Sequence, residues 1–521
     1  WFARDPWQSR TFWRELFLVS AKAAVIVALF AAVLMTGVVV MRNVSMTLLQ
    51  TAVVATTYFI SSFAVVLTLL ILTGVILKLR PELAIESPAG LMSFSMAVVT
   101  VVCLGIGAWW LGFDDAAAGY EPPVVLLLLF VLFVAGTVVV SAALLSFSIH
   151  EARRIPRIHR KPRTIPISAA GLILLVVLFV PSWLARPDET VETPLQIPVG
   201  QSSGRVAMIA IEGMTAELLE AHSQLGGLVS RHAGVPAMRA ASSAALWASV
   251  GTGTPPELHR VRAIEGLQLA GSPRVLQSLS RWDFPLRRVA PALGITRRQP
   301  LPPSVRERDY VWEVVASRGI SAVAINWWAA PSESTTNLRV VAQEEIFSRA
   351  AGEGEGTSAA LAVDRLAMSA ASSAAGRLEP RLVTVYLPAL DILNNRLDLD
   401  EARRLPASIH ALDQIIRFIG TLRERGYEVL LIGMPGQGQP GHGVIASTTP
   451  LDLDYAGGWS LAPTLLDLFG FPASEEMPGS SLLPGSRQLR LPSFGSRREK
   501  ESAATGNDEY YESLRSLGYI Q

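Results

Sequence analysis

Residues 205–215 read RVAMIAIEGMT, and residues 241–261 read ASSAALWASVGTGTPPELHRV. The first stretch is an apolar run of strand length that stops on Glu212-Gly213. In open α/β sheets ligands bind at the carboxyl ends of the strands, so a carboxylate there is placed for chemistry, and the glycine permits a tight turn. Glu212 also has a plain reading, as an acid near the start of a helix at Thr215. The second stretch sets Ser243 before a short helical run. A helix N-terminus attracts anions, so a serine there can cap the helix or act as a nucleophile on a phosphate-type centre.

Working outward, further strand-length runs fall at Ala322–Asn326, Leu382–Leu387 and Glu428–Ile432. Helical patterns separate them at Ala216–His232, Val311–Arg318, Ser358–Ala375, Glu401–Arg425 and Ser460–Phe469. Strands alternating with helices predict an α/β/α sandwich around a mostly parallel sheet. The Arg-, Pro- and Leu-rich stretch Leu267–Arg308 breaks the pattern and reads as a cap or insertion over the sheet. The closing DEYYESLRSLGYIQ reads as a short amphipathic helix that docks.

Before residue 186 the chain is of another kind. Overall, 50% of its 521 residues are hydrophobic and 17% charged, against about 25% charged in soluble proteins. Five stretches are long enough to cross a bilayer: Phe17–Val40, Leu48–Leu77, Leu91–Phe113, Val124–Ile149 and Ile165–Leu184. Basic residues crowd alternate connections, above all the loop holding Arg153, Arg154, Arg157, Arg160, Lys161 and Arg163. That bias puts the N-terminus in the cytoplasm and everything after the fifth span outside. Lys22 is the one charge within a span, set to snorkel toward the cytoplasmic interface. The expected divisions are a five-helix transmembrane domain (1–185), a linker (186–204), an extracytoplasmic domain (205–485) and a polar tail with a short helix (486–521). The lipid bilayer is thus one partner. A net charge of +1 gives no pull toward nucleic acid. The single cysteine, Cys103, excludes an intrachain disulfide framework and a Cys-based zinc site.

The acid–Gly–Met step, followed about thirty residues on by Ser-x-x-x-Trp-x-Ser-x-x-Thr-Gly-x-x-Pro-x-x-His, resembles the alkaline phosphatase superfamily, and within it the type I phosphodiesterase/nucleotide pyrophosphatase group. YVWEVVASRGISAVAINWWAAP (310–331), LVTVYLPALDILNN (382–395) and GWSLAPTLLDLFGFPASEEMPGSSLL (458–483) resemble later segments of that family in the same order. The layout of spans followed by such a domain is also similar to bacterial phosphoethanolamine transferases and lipoteichoic acid synthases. The resemblance implies a sulfatase-like fold and a bacterial inner-membrane protein with a periplasmic or extracellular domain. It also implies two metal ions, usually zinc, that activate a Ser or Thr nucleophile.

Carried over residue by residue, the resemblance puts Ser243 at the nucleophile position, and Glu212, Asp391 and His442 at metal-ligand positions. Asn395 stands where a ligating histidine is expected, and Met434 and Pro435 replace an Asp-His pair. Zinc requires three or four good ligands per site, and neither site keeps three. The expectation is therefore a degenerate site with no cofactor. The domain would be a pseudoenzyme acting as a binding or scaffold subunit, with a protein partner in a membrane or envelope complex. The alternative is an active zinc-dependent phosphodiesterase or phospho-headgroup transferase using Ser243.

Overall fold

The computed structural model describes residues 12–43, 46–79, 88–112, 122–153, 204–222, 231–238, 240, 242–272, 274–277, 280, 282–332, 334–436, 439–454, 456–497 and 508–520. They divide into two compact units, Trp1–Thr190 with Leu267–Arg298, and Val191–Gly266 with Gln299–Gln521.

Among the described residues the first unit contains four apolar helices: α1 (Phe12–Arg42), α2 (Leu48–Leu79), α3 (Pro88–Leu111) and α4 (Pro122–Arg153). Three hold stretches long and apolar enough to cross a membrane: Leu16–Val40, Leu48–Ile76 and Met92–Leu111. The described apolar stretch of α4, Leu126–Ser141, is shorter. The fifth expected span, Ile165–Leu184, lies outside the described residues. These helices are apolar on all sides. Ile60, Leu72, Leu104, Leu126 and Phe130 stay exposed, a pattern suited to lipid rather than water.

The second unit is a layered α/β domain. Among the described residues the strands of the chain are, in order, β1 (Arg205–Glu212), β2 (Arg231–Pro236), β3 (Glu265–Leu269), β4 (Val275–Leu276), β5 (Thr296–Pro300), β6 (Ala322–Ile325), β7 (Leu338–Val341), β8 (Leu382–Leu387), β9 (Tyr427–Met434), β10 (His442–Ser447), β11 (Ala473–Ser474) and β12 (Arg490–Leu491); β4 belongs to the first unit, and β3 and β5 straddle the ends of Leu267–Arg298. A seven-stranded sheet runs in the order β2-β10-β9-β1-β8-β6-β7. β1 pairs in parallel with β8 and β9, and β6 with β7 and β8. β10 alone runs against its neighbours. The central strands are buried throughout, as strands covered on both faces must be.

The longer helices among the described residues of the second unit are α5 (Ala216–Ala221), α6 (Ser243–Thr252), α7 (Val311–Ser317), α8 (Gln343–Ala351), α9 (Thr357–Arg377), α10 (Glu401–Glu424), α11 (Leu461–Leu468) and α12 (Asp508–Ser516). The four expected strands form the sheet centre, and α12 forms where the amphipathic pattern put it. The expected helix Ala216–His232 stops early: α5 ends at Ala221, and Arg231–His232 open β2. β2, at one edge of the sheet, and its neighbour β10 have their alternation interrupted by glycine, and β2 by a proline as well, so local periodicity does not reveal them.

Of the expected insertion Leu267–Arg308, the part Leu267–Arg298 groups with the apolar helices. Its polar groups account for the attachment. Asn43 Nδ2 donates to the Gln277 carbonyl at 2.8 Å, and the Gln277 N–H returns a bond to Asn43 Oδ1 at 2.9 Å. Gln50 Nε2 donates to Ser272 Oγ at 3.0 Å, and the Tyr58 hydroxyl to Asp283 Oδ2 at 2.5 Å.

Candidate functional site

β1 ends at Glu212, level with Met434 at the end of β9. Gly213 then turns with φ +87°, and a Cβ there would lie 2.5 Å from the Asp391 backbone nitrogen. Only glycine allows both that turn and that approach. A short helical turn after β8, Ala389–Asp391, carries Asp391 to the same edge.

Ser242 caps α6, its side chain accepting from the Ala245 N–H at 3.1 Å. Ser243, the first residue of the helix, is thereby free to face Glu212. Its hydroxyl donates to Glu212 Oε1 at 2.5 Å. The other Glu212 oxygen accepts from the Tyr386 hydroxyl.

The charge at the centre belongs to Arg396, which the sequence did not single out. Residues Ile392–Arg396 form a π-helical turn, closed by the Leu397 N–H on the Ile392 carbonyl. In such a turn residue i+5 comes back over residue i. Arg396 Nε donates to Asp391 Oδ2 at 2.5 Å, while Asn395 Nδ2 donates to Asp391 Oδ1 at 2.8 Å. Arg396 Nη2 donates to Ser243 Oγ at 2.7 Å and lies 3.5 Å from Glu212 Oε1. One guanidinium thus reaches both carboxylates and the serine. The Tyr519 ring covers it, with the guanidinium carbon 3.9 Å from the ring centroid, and the Tyr519 hydroxyl lies 3.4 Å from that of Tyr386. Trp247, the tryptophan of the serine motif, packs behind Tyr386 at 5.3 Å between centroids.

The carboxylates and the serine are buried, Glu212 and Asp391 0% exposed and Ser243 1%, while Asn395 and Arg396 are half-buried. Burial pushes Glu212 up to about 7, helped by the Asp391 charge and opposed by Arg396. Burial also works against the Arg396 charge, but Tyr519, Glu212 and Asp391 outweigh it and the guanidinium stays protonated.

The remaining candidates lie elsewhere. His442 opens β10, exposed, its Nδ1 4.0 Å from Glu217 Oε1. Met434 is buried against Gly443 and Gly458. Pro435 is buried too, and Gly436 follows against Asp391 and Asn395, leaving no room for a Cβ. The strand end that would supply two ligands therefore closes over Asp391. Among the described residues no group of three or more His, Cys, Asp or Glu could hold a metal. The oxygens of Glu212 and Asp391 already accept from Ser243, Tyr386, Asn395 and Arg396. The donor set does not fit a zinc pair, because a resident cation of the protein's own has taken it.

Of these residues, Glu212, Ser243, Asp391 and Asn395 were legible from the motifs. Arg396 carried one signal, its place directly after Asn395. Tyr386 lay hidden inside an apolar strand, and Tyr519 stands 123 residues beyond Arg396 with no pattern linking them.

Fold and site together define a chain with membrane-length apolar helices and a mixed-sheet α/β domain bearing a buried Ser–Glu–Asp–Arg cluster. No protein-family model and no curated protein matches the chain. Among solved structures, phosphonoacetate hydrolase from Sinorhizobium meliloti 1021, in complex with phosphonoformate, aligns with TM-score 0.31 and 11% identity over 44% of this chain. The match spans about half of the hydrolase, 55%. The integral membrane lipooligosaccharide phosphoethanolamine transferase A from Neisseria meningitidis aligns with TM-score 0.33 and 9% identity, over 88% of this chain and 95% of that one. Scores and identities of this size fix neither a family nor an activity.

Proposed function

We propose that this chain is a membrane-anchored pseudoenzyme. Its α/β domain has the alkaline-phosphatase type of fold but has exchanged two-metal chemistry for an internal ion-pair cluster. The domain acts on the outer side of a bacterial cytoplasmic membrane as a binding or scaffold subunit of a membrane complex. One observation carries this reading: the Arg396 guanidinium occupies the space between Glu212, Asp391 and Ser243. A fixed guanidinium neutralises the two carboxylates as a metal would. It cannot lower the pKa of a bound nucleophile by direct coordination or take up a phosphoryl oxygen as a further ligand. The order of the sequence motifs and the placement of Glu212, Ser243 and Asp391 at one sheet edge support the ancestry.

The test is metal content and turnover of the detergent-purified full chain. After exposure to excess zinc and desalting, elemental mass spectrometry should find no stoichiometric metal. Aryl phosphodiester and phosphomonoester substrates should remain intact. Two bound metals per chain, or hydrolysis that disappears in Ser243→Ala, would refute the proposal.

The active-enzyme alternative draws on one observation, the short Ser243–Glu212 hydrogen bond to a carboxylate raised to about 7. Such a carboxylate can take a hydroxyl proton. It would require Tyr519 and Arg396 to move aside, and Ser243-dependent turnover in the same assay would establish it.

A further inference from the structure

Leu267–Arg298 leaves large apolar side chains uncovered. Trp282 is 62% exposed, Phe284 65% and Leu293 67%. Their level is set by the helices they are fastened to. Between Trp282 and Phe284, buried Asp283 accepts from the Tyr58 hydroxyl and from the Leu286 N–H at 3.1 Å. The Tyr58 ring meets Trp109 edge-on, centroids 5.7 Å apart. Trp109 is in the last turn of α3, and Trp282 lies against Gly112, where an added Cβ would collide with it.

The 32 residues of α2 make a rod about 48 Å long, against about 30 Å of hydrocarbon. Its first turns, which lead to Tyr58, can therefore stand in the headgroup region while the rest crosses. Trp109 and Trp110 mark that same region on α3, as interfacial aromatics do. Trp282, Phe284 and Leu293 are thus attached at the height where acyl chains give way to headgroups. The segment is also strongly basic, with six arginines against Asp283 as its one acid. Arg274, Arg288 and Arg297 are exposed.

We propose that Leu267–Arg298 is a lipid-binding element. Trp282, Phe284 and Leu293 sit among the lipids of the leaflet bordering the C-terminal end of α3, and the arginines hold anionic phospholipid headgroups. The apolar surface continues the lipid-facing surface of the helices. The charge is the one an anionic leaflet attracts, and polar bonds to Asn43, Gln50 and Tyr58 fix the element against the helices. Aromatic residues with arginine are the composition of interfacial membrane elements.

The test uses the full chain in vesicles of phosphatidylethanolamine and phosphatidylglycerol. A Cys103→Ala background carries nitroxide labels at Phe284→Cys or Leu293→Cys. Leu104→Cys on α3 gives the lipid reference and Leu405→Cys on α10 the aqueous one. Labels at 284 and 293 should collide more with oxygen than with a water-soluble nickel chelate, with the same sign as 104. Nickel-dominated collisions like those at 405 would overturn the proposal. So would shielding from both reagents, which would mean that protein covers the patch.

In the same vesicles, spin-labelled phosphatidylglycerol should be preferred over phosphatidylcholine at the protein surface. Arg288→Gln and Arg297→Gln should each weaken that preference about fivefold. An unchanged preference would overturn the headgroup assignment.

Discussion

Arg396 sets a fixed positive charge between two buried carboxylates, and the local energetics follow from that. Glu212 and Asp391 are buried carboxylates at one strand edge, tolerated because the guanidinium pairs with both. Removing one partner of a buried pair costs about 3–5 kcal/mol, because the other charge is stranded. Arg396→Met should destabilise the domain by about that amount, read as a fall in melting temperature. Adding Glu212→Gln to Arg396→Met should recover part of the loss. If the two changes simply add, the pairing assigned here is wrong.

His259 makes a second residue-scale argument. It is buried, and its Nδ1 accepts from the Val261 N–H at 3.1 Å. Nε2 must therefore carry the proton, and it donates to Ser249 Oγ at 2.9 Å. Burial, reinforced by the charges of Arg306 and Arg262, pushes this imidazole from an ordinary 6.5 down to about 3. Between those values the unfolded chain binds a proton that the native chain refuses. Its contribution to stability is then complete above about 6.5 and is lost as pH falls toward 3. Melting temperatures measured from neutral pH downward should fall less steeply in His259→Gln than in the parent. Parallel curves would show that His259 does not titrate in this window.

At the scale of elements, the site is held shut by α12 and the residues after it. Tyr510 donates to Gln343 Oε1 on α8 at 2.7 Å, and Tyr511 to Glu265 at 3.0 Å. Leu514 and Leu517 join the core, and Gly518, at φ +78°, passes close against the Arg396 carbonyl. That path delivers Tyr519 onto the guanidinium. Ending the chain at residue 507 should leave the sheet folded but uncover Arg396. Amide exchange should then rise selectively in 391–397, with little change in β1 and β8. Unchanged protection of 391–397 would deny the segment its covering role.

At the scale of the whole molecule, the chain leaves the α/β unit after Gly266, builds Leu267–Arg298 onto the apolar helices, and returns. The gap at the domain side is small, for the Leu301 N–H donates to the Ile264 carbonyl at 3.0 Å. The lipid-exposure measurements on positions 284 and 293 belong to this scale, since they ask what environment the excursion serves.

The sequence by itself determined the apolar helices, the central strands β1, β6, β8 and β9, and the meeting of Glu212, Ser243 and Asp391 at one edge. The helices and strands follow from hydropathy runs and periodicity, which act over a few residues at a time, and the shared edge is what the family resemblance implied. The tertiary structure alone decided which charge stands between these three residues. Arg396 reaches Ser243 across 153 positions only because a π turn aims it there, and Tyr519 arrives from the far end of the chain. It alone also decided that Leu267–Arg298 joins the helices, because Asn43, Gln50 and Tyr58 are bonded to residues more than two hundred positions away. Contacts that distant leave no periodic trace in the chain, so they become visible only once it has folded.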